Sequence, residues 1–283
     1  MKTILVPIDF SKCSLSALAF AASVAKRTKS TLHLLNVTQE ARYYFIAEPV
    51  AFGLPYGGMD NLYKNLRSTS IIKMEALLNK DFLKGLKVII TAVIGDPTHL
   101  EISKHAEKIK ADMIIMGSNG AGGVSGILLG STSERVARFS KKPVLIISGK
   151  IKNPELKRVV FASDFKKEAY SVFPFINSFA EIFGAELHLL IVNTSAQFST
   201  TKTNNALLDS FTKKFKLRAE KVIYDDYMKE EGILNYSEEC DTDLIAIGTH
   251  GKKGLARFFK QDVSGDLVRL SPRPILIINL NKH

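Results

Sequence analysis

Cysteine is scarce in this 283-residue chain, with Cys13 and Cys240 standing far apart in the sequence. Two such residues exclude a disulfide framework, so a reducing cytoplasm is the expected location. Long apolar runs are missing as well, because none approaches the roughly 18 residues that a membrane-spanning helix needs. The run Ile4–Ile8 near the N-terminus is too short for the core of a signal peptide. We therefore expect a cytoplasmic protein without a membrane segment.

The positive charge lacks the marks of a nucleic-acid-binding protein. Of the +11 net charge, residues 1–150 carry 20 basic and 11 acidic side chains, whereas residues 151–283 carry 19 and 17. The lysines are scattered, and no helix-turn-helix, zinc-finger or aromatic RNA-binding spacing occurs. Solvated helix faces account for most of this charge, and a small anionic ligand is the functional alternative. The adjacent acids Asp225 and Asp226 lack a neighbouring histidine, so we predict no metal site there.

The chain contains one pattern twice. Two pairs of segments match at an offset of 155 residues: Lys2–Phe10 with Lys157–Phe165, and Leu32–Val37 with Leu187–Val192. Two further pairs match at an offset of 131: Asp112–Gly117 with Asp243–Gly248, and Lys142–Ile147 with Arg273–Ile278. The difference between 155 and 131 means that the second copy has lost about 24 residues in its middle. We predict two tandem domains, residues 1–150 and 151–283, here called the first and second halves, joined near residues 149–156.

Each copy alternates short aliphatic runs with longer amphipathic stretches. In the first half, the runs typical of strands buried on both faces are Ile4–Ile8, Thr31–Val37, Val88–Val93, Met113–Met116 and Val144–Ile147. The stretches with helical spacing are Ser14–Lys26, Leu62–Leu78 and Pro97–Ile109. This alternation predicts an α/β fold with a parallel sheet and right-handed crossovers. Ligands of such sheets bind outside the carboxyl ends of the strands, where the strand order switches.

A glycine-rich loop follows the fourth predicted strand. The segment Gly117–Val136 has six glycines in its first fourteen residues and then becomes helical. Glycines let backbone amides approach a phosphate, and a helix N-terminus favours its negative charge. The loop lacks the Walker pattern G-x-x-x-x-G-K-[ST] and the dinucleotide fingerprint G-x-G-x-x-G. Alternatively, the glycines only form turns and Ser131 only caps a helix, because Ser131 and Glu134 fit a capping box.

The second copy of this loop differs where a phosphate would bind. The segment Gly248–Leu267 has Gln261 and Asp262 in place of Gly130 and Ser131. Aspartate caps a helix as well as serine does, so the helix start is preserved. A carboxylate at that terminus, however, repels a phosphate. Lys252 and Lys253 leave a different mode of anion binding open, with a solvated loop as the alternative.

These residues resemble the universal stress proteins over nearly the whole chain. Nucleotide-binding members of that family carry G-x-x-G-x9-G-[ST] after the fourth strand, and Gly117, Gly120, Gly130 and Ser131 match this spacing. The resemblance implies two tandem Rossmann-like domains, each a five-stranded parallel sheet flanked by helices. It also implies that ATP binds to the first half, with Mg²⁺ held mainly through the phosphates.

By position, the resemblance assigns Asp9 to the ribose or adenine, Val37 to the adenine wall, and Met116 to the ribose. The full set of implied site residues is Pro7, Ile8, Asp9, Val37, Met116, Gly117, Asn119, Gly120, Gly130, Ser131 and Thr132. Of these, Gly120, Gly130, Ser131 and Thr132 would cradle the phosphates. The alternatives are that Asp9 caps the following helix or forms a turn with Ser11, and that Val37 and Met116 are ordinary core residues.

The function that the resemblance implies is an ATP-binding regulatory stress protein, and the differences between the two loops predict one nucleotide site per chain. No histidine or glutamate lies within the motif to orient a water molecule, so we name no catalytic residue and expect slow hydrolysis at most. An interaction protein that binds no nucleotide, and an ATP-using transferase, are the alternatives.

Two further expectations concern partners. The last strands of the halves, Pro143–Ile147 and Pro274–Ile278, are apolar edge candidates that can pair within one chain as a pseudo-dimer. Association of two chains is left open. The aromatic and Pro/Gly-rich loop at residues 41–60 is interpreted as a lid or a contact surface.

Overall fold

The computed structural model describes residues 1–39, 58–118, 131–149, 155–249 and 271–279. The first half contains, in chain order, β1 Thr3–Pro7, α1 Lys12–Thr28, β2 Thr31–Thr38, α2 Gly58–Leu77, a 3-10 turn Asp81–Leu83, β3 Val88–Ile94, α3 Thr98–Lys108, β4 Met113–Gly117, α4 Ser131–Phe139 and β5 Val144–Ile147. The second half contains β6 Arg158–Ala162, α5 Ala169–Phe183, β7 Glu186–Asn193, α6 Thr201–Phe215, β8 Glu220–Asp225, α7 Lys229–Glu239, β9 Leu244–Thr249 and β10 Ile275–Asn279.

The ten strands form one sheet in the order β3-β2-β1-β4-β5-β10-β9-β6-β7-β8. Within each half, all neighbouring strands are parallel. The second half repeats the strand order of the first in the opposite direction across the sheet. The predicted α/β class, with two tandem domains and parallel sheets flanked by helices, is therefore confirmed.

The halves meet through their last strands. β5 and β10 pair antiparallel, with Leu145 opposite Leu276, Val144 opposite Ile277, and Ile146 opposite Ile275. Leu145 and Leu276 are equivalent at the offset of 131, so a local two-fold axis passes between them. The expected pairing of these two strands within one chain is confirmed.

Helices cover both faces of the sheet. One apolar cluster packs under α1, α2, α5 and α6, and another packs under α3, α4 and α7. Each cluster contains residues of both halves. On the first face the halves also touch directly, since the rings of Phe20 and Phe183 lie 6.0 Å apart and the Arg27 guanidinium lies 4.9 Å above the Phe183 ring.

Both halves have an aspartate that binds the backbone at the start of their first strand. The carboxylate of Asp112 accepts hydrogen bonds from the amides of Lys2 (2.5 Å) and Thr3 (2.9 Å). The equivalent Asp243 accepts from the two amides at the start of β6, at 2.7 and 2.8 Å. This side chain ties β1 to β4 and β6 to β9, so its recurrence has a structural reason.

Element ends differ from the predicted ones by up to four residues. α1 begins at Lys12, two residues before the predicted start, because the Ser11 hydroxyl accepts a hydrogen bond from the Ser14 amide and caps the helix. α3 begins at Thr98 with Pro97 as its N-cap. α2 begins four residues before the predicted Leu62.

Candidate functional site

The strand order places a crevice between β1 and β4 in the first half. β1 pairs with β2 on one side and with β4 on the other. The chain leaves β1 toward β2 and returns from β3 to β4, so the direction of winding reverses between β1 and β4. Open α/β sheets bind ligands at the carboxyl side of such a reversal. Pro7 and Gly117 end the two strands that flank it.

Asp9 belongs to a tight turn that leads from β1 into α1. Its Oδ1 accepts a hydrogen bond from the Ser11 amide at 3.0 Å, and Phe10 has a φ of 64°. The second half repeats this turn, with Lys166 N donating to Asp164 Oδ1 at 3.2 Å and Phe165 at a φ of 51°. The turn with Ser11 foreseen for Asp9 is present. Because both halves contain the turn, it does not distinguish a binding half from a non-binding one.

Asn36 fixes the backbone beside Asp9, and the sequence pattern did not single it out. Its Nδ2 donates to the carbonyl oxygen of Ile8 at 2.7 Å, and the side chain is buried. Ile8 itself is buried, and its amide donates to the Leu35 carbonyl at 2.8 Å. The equivalent of Asn36 in the second half is Ile191. A polar residue at the buried carboxyl end of a predicted strand is the sequence signal that could have identified this bond. Isoleucine has no group that donates a hydrogen bond, so the second half cannot form the same bond at this position.

Gly117 is required by the close approach of α1. A Cβ on this residue would lie 2.6 Å from the carbonyl carbon of Cys13 and 2.8 Å from the Ser14 nitrogen. Since both are backbone atoms in the first turn of a helix, neither can move aside cheaply. The glycine therefore allows the N-terminus of α1 to pack directly against the carboxyl end of β4.

Met116 and Val37 contribute to the apolar cluster beneath α3 and α4. Met116 is buried and Val37 is half-buried against that cluster. Their core role foreseen as an alternative is thus present.

The first turn of α4 is anchored to the end of β4. The buried Ser133 hydroxyl donates to the Ser118 carbonyl at 2.6 Å, and the Ser118 amide continues the ladder to Ile147 at 2.9 Å. Ser131, the first helical residue, is exposed, and Thr132 is half-buried. The positive end of the helix dipole is therefore held at the carboxyl edge of the sheet. Ser133 was not predicted from the motif, although it lies two residues beyond it.

Other candidate residues lie outside the described part of the chain. These are Asn119, Gly120 and Gly130 of the first loop, and Lys252, Lys253, Gln261 and Asp262 of the second. Most of the loop at residues 41–60 is outside it too. The described residues thus bring the ends of β1, β2 and β4 together with the start of α4.

His99 is a titratable side chain close to α4. Burial lowers its pKa below the ordinary value of 6.5, the charge of Arg135 lowers it further, and Asp96 opposes the shift. Its ring lies 5.7 Å from that of Phe139. His99 is therefore neutral at neutral pH and adds no positive charge to this side of the helix.

The described residues hold neither a cluster of metal ligands nor a membrane-spanning helix. No group of three or more histidine, cysteine, aspartate or glutamate side chains is placed to hold a metal ion. No helix in the same residues has the length and apolar content to cross a membrane.

The sequence profile of one family, the universal stress protein family, matches residues 1–148 and again residues 155–279. The chain belongs to the universal stress protein family. Both matches together cover nearly all of the chain, so its two halves are two tandem domains of the family.

Individual family members show how the similarity is distributed. A universal stress protein of Methanocaldococcus jannaschii, MJ0577, is 35% identical over 159 residues, which are 53% of this chain and 96% of that protein. The Bacillus subtilis universal stress protein YxiE is 31% identical over 143 residues, or 50% of this chain and 96% of the relative. These relatives therefore match about half of the present chain with nearly their whole length.

A solved structure extends the likeness to the tandem arrangement. The crystal structure of a universal stress protein from Archaeoglobus fulgidus covers 98% of this chain with 96% of its own, at a TM-score of 0.68 and 24% identity. The two chains therefore share the fold of two joined domains.

Proposed function

We propose that this universal stress protein is an ATP-binding regulatory protein with a single nucleotide site in its first half. One observation carries the proposal. The N-terminus of α4, which the G-x-x-G-x9-G-S motif leads into, is anchored by Ser133 to the carboxyl end of β4, beside the crevice. A helix N-terminus in that position offers amides and a positive dipole end to a phosphate.

In this proposal each part of the crevice has one task. Asp9 and Val37 contact the ribose and adenine, while Asn36 holds the Ile8 carbonyl and keeps the Asp9 turn in place. The phosphates lie on the glycine loop, Ser131 and Thr132. Mg²⁺ is held through the phosphates, and the chain supplies no catalytic base. The expected role is therefore a nucleotide-dependent signal with slow hydrolysis at most.

The second half is proposed to act as a partner domain without ATP. Its sequence presents Asp262 where Ser131 stands and Gln261 where Gly130 stands. A carboxylate at that helix start repels phosphate. The apolar Ile191 in place of Asn36 also removes the side-chain bond that fixes the strand end in the first half.

The decisive experiment measures nucleotide directly. The protein is purified, denatured, and the released nucleotide is identified by mass spectrometry; ATP, ADP and cAMP are then titrated by calorimetry. A family member has been solved in complex with cAMP, which is why cAMP is included. We expect one equivalent of ATP per chain. Wild-type protein that releases no nucleotide and gives no heat with ATP contradicts the proposal.

Matched variants test the site itself. Ser131→Asp should weaken ATP binding at least about tenfold, since it introduces the charge found in the second half. Ser68→Asp places the same charge on the exposed surface of α2 and should leave binding unchanged. Conversely, the double change Gln261→Gly/Asp262→Ser should raise the stoichiometry toward two ATP per chain. Equal weakening by Ser131→Asp and Ser68→Asp would show that the charge acts only at long range.

A further inference from the structure

A cavity of about 530 Å³ opens at the carboxyl ends of β7 and β8 in the second half. Its lining includes Asn193 at the end of β7, Asp225 and Asp226 at the end of β8, and the two aromatic residues Phe198 and Tyr227. The second-half equivalents of the described nucleotide-site residues on the strand ends are Ala162, Ser163, Asp164, Val192, Ile247 and Gly248, and none of them lines this cavity. This cavity, here called the acidic–aromatic pocket, is thus a different place from the site proposed above.

Its aromatic walls are unusually open to solvent. Tyr227 is 87% exposed and Phe198 is 72% exposed, which makes them the most exposed large apolar side chains among the described residues. Aromatic side chains dominate the energetics of binding interfaces, and apolar surface exposed around a cavity marks binding sites. An aromatic face attracts a cation that lies within about 6 Å of its centre.

The floor of the pocket is negatively charged and held in place by neutral donors. Asp225 Oδ1 accepts from Asn193 Nδ2 at 2.9 Å. Asp226 accepts from the Tyr227 amide at 2.6 Å and from Asn235 Nδ2 at 2.9 Å. The described lining contains no lysine, arginine or histidine, and its remaining members are small residues with hydroxyl groups. Two successive carboxylates therefore face the cavity with no cation in the lining to offset their charge.

We propose that the acidic–aromatic pocket binds a small organic cation, an amine or guanidinium carried on a short methylene chain. The carboxylates attract the charged group, and the faces of Phe198 and Tyr227 cover the methylenes and the cation. Cavities of roughly 300–1,000 Å³ are the size in which proteins bind small molecules. Asp225 and Asp226 would repel an anion. A neutral ligand would gain nothing from their negative charge.

Four positions of the pocket lining carry different side chains in the first half. The positions equivalent to Asn193, Asp225, Asp226 and Tyr227 in the first half are occupied by Thr38, Ile94, Gly95 and Asp96. The second half therefore has its own ligand chemistry, and the proposal stands whether or not the first half binds ATP.

Calorimetry with hexamethylenediamine and hexanediol tests the proposal, because the two probes share a six-carbon chain and differ in charge. At low ionic strength the diamine should bind the full-length protein and the diol should give no heat. Asp225→Asn removes a charge yet keeps the oxygen that accepts from Asn193, so it should weaken diamine binding about tenfold without unfolding the pocket. Phe198→Ala should weaken it about threefold or more.

Asp209→Asn is the matched control, because Asp209 lies on the exposed surface of α6 in an ion pair with Lys221. This variant loses the same charge outside the pocket and should bind the diamine like the wild type. Three outcomes overturn the proposal: no binding of the diamine, equal binding of the diol, or equal weakening by Asp209→Asn and Asp225→Asn. Circular dichroism confirms that each variant is folded before its binding is compared.

Discussion

At the scale of single residues, the two halves differ in the hydrogen bonding of one pair of equivalent side chains. In the second half, His188 Nδ1 and the Tyr236 hydroxyl are joined by a hydrogen bond of 2.6 Å. The equivalent residues in the first half are His33 and His105, and the buried atoms His33 Nδ1 and His105 Nε2 have no hydrogen-bond partner among the described residues. A buried polar atom without a partner costs about 1–3 kcal/mol. His188 Nε2 likewise has no hydrogen bond within the described residues, although Glu186 Oε1 lies 3.6 Å away. The difference between the halves is therefore the bond at Nδ1, which His188 makes and His33 lacks.

The same pair makes the stability of the protein depend on pH. Burial lowers the pKa of His105 below 6.5, and His33 and Lys108 lower it further; burial and Lys87 act likewise on His33. Below about pH 6.5 the unfolded chain takes up protons on these residues before the folded protein does. The free energy of unfolding therefore falls as the pH drops from 6.5 through the folded pKa values, and it is fully retained above 6.5.

His105→Tyr should stabilise the protein, and more so at pH 5.5 than at pH 8. Tyrosine supplies the partner that His188 has in the second half, and the change removes one group that titrates between pH 5.5 and pH 8. We expect the hydrogen bond to contribute about 1 kcal/mol at pH 8. Thermal unfolding at both pH values measures the effect, with Tyr236→His as the reverse change. A melting temperature at or below that of the wild type at both pH values would refute this account.

At the scale of elements, one glycine in each half allows the helix after the third strand to pack closely against the end of that strand. Gly95 follows β3 and faces Glu101 of α3, whereas the equivalent pair in the second half is Asp226 and Gly232. A Cβ at Gly95 would meet Glu101 Cγ at 2.6 Å, and one at Gly232 would meet Asp226 Cβ at 3.0 Å. Each half keeps one glycine in the pair but on opposite sides. In the first half the glycine follows the strand, and in the second half the glycine lies in the helix. Either placement leaves room for the helix to pack against the strand end.

Gly117→Ala tests the contact between the end of β4 and the backbone of α1. The new methyl group meets backbone atoms of Cys13 and Ser14, so we expect a loss of about 1–3 kcal/mol in the free energy of unfolding. Gly95→Ala is the control, because its methyl group meets only the partly exposed side chain of Glu101, which can rotate away. Chemical denaturation of both variants gives the comparison. Equal costs for the two changes would show that the approach of α1 is not rigid.

The strands β1, β4 and β5 were predictable from sequence because their aliphatic runs are almost entirely buried, and β5 coincides with its predicted range. The edge strand β3 has the same kind of run, but most of its residues are only half-buried. Helix ends were less predictable, since Ser11 is one of several residues that could cap α1. In the site, the glycine spacing identified the loop between β4 and α4. It did not reveal Asn36 or Ser133, because their roles depend on a neighbouring strand and on the end of β4. Partners distant in sequence are set by tertiary packing, which no local pattern encodes.

At the scale of the whole molecule, the pairing of β5 with β10 joins two sheets into one. The four residues of β5 are all buried and apolar, so the strand is unsuited to be a free edge. Its local two-fold register, with Leu145 opposite its equivalent Leu276, is one that two copies of β5 can also adopt.

Residues 1–149 expressed alone should therefore form a homodimer through β5. Light scattering after size-exclusion chromatography measures the mass, and Leu145→Lys in the fragment should shift it toward monomer by placing two like charges on the axis. The full-length chain, whose β5 is already paired with β10, should elute without this fragment's dependence on concentration. A wild-type fragment that stays monomeric at high concentration would show that β5 tolerates exposure.

The axis between Leu145 and Leu276 has a consequence for how the protein can change over time. In a dimer of identical subunits, every substitution enters both copies at once, so neither copy can be altered alone. A single polypeptide that supplies both sides of the axis is free of that constraint. Its halves can drift apart residue by residue, as Ile191 and Asn36 or Tyr236 and His105 have done, while the strand pair between them keeps its two-fold register.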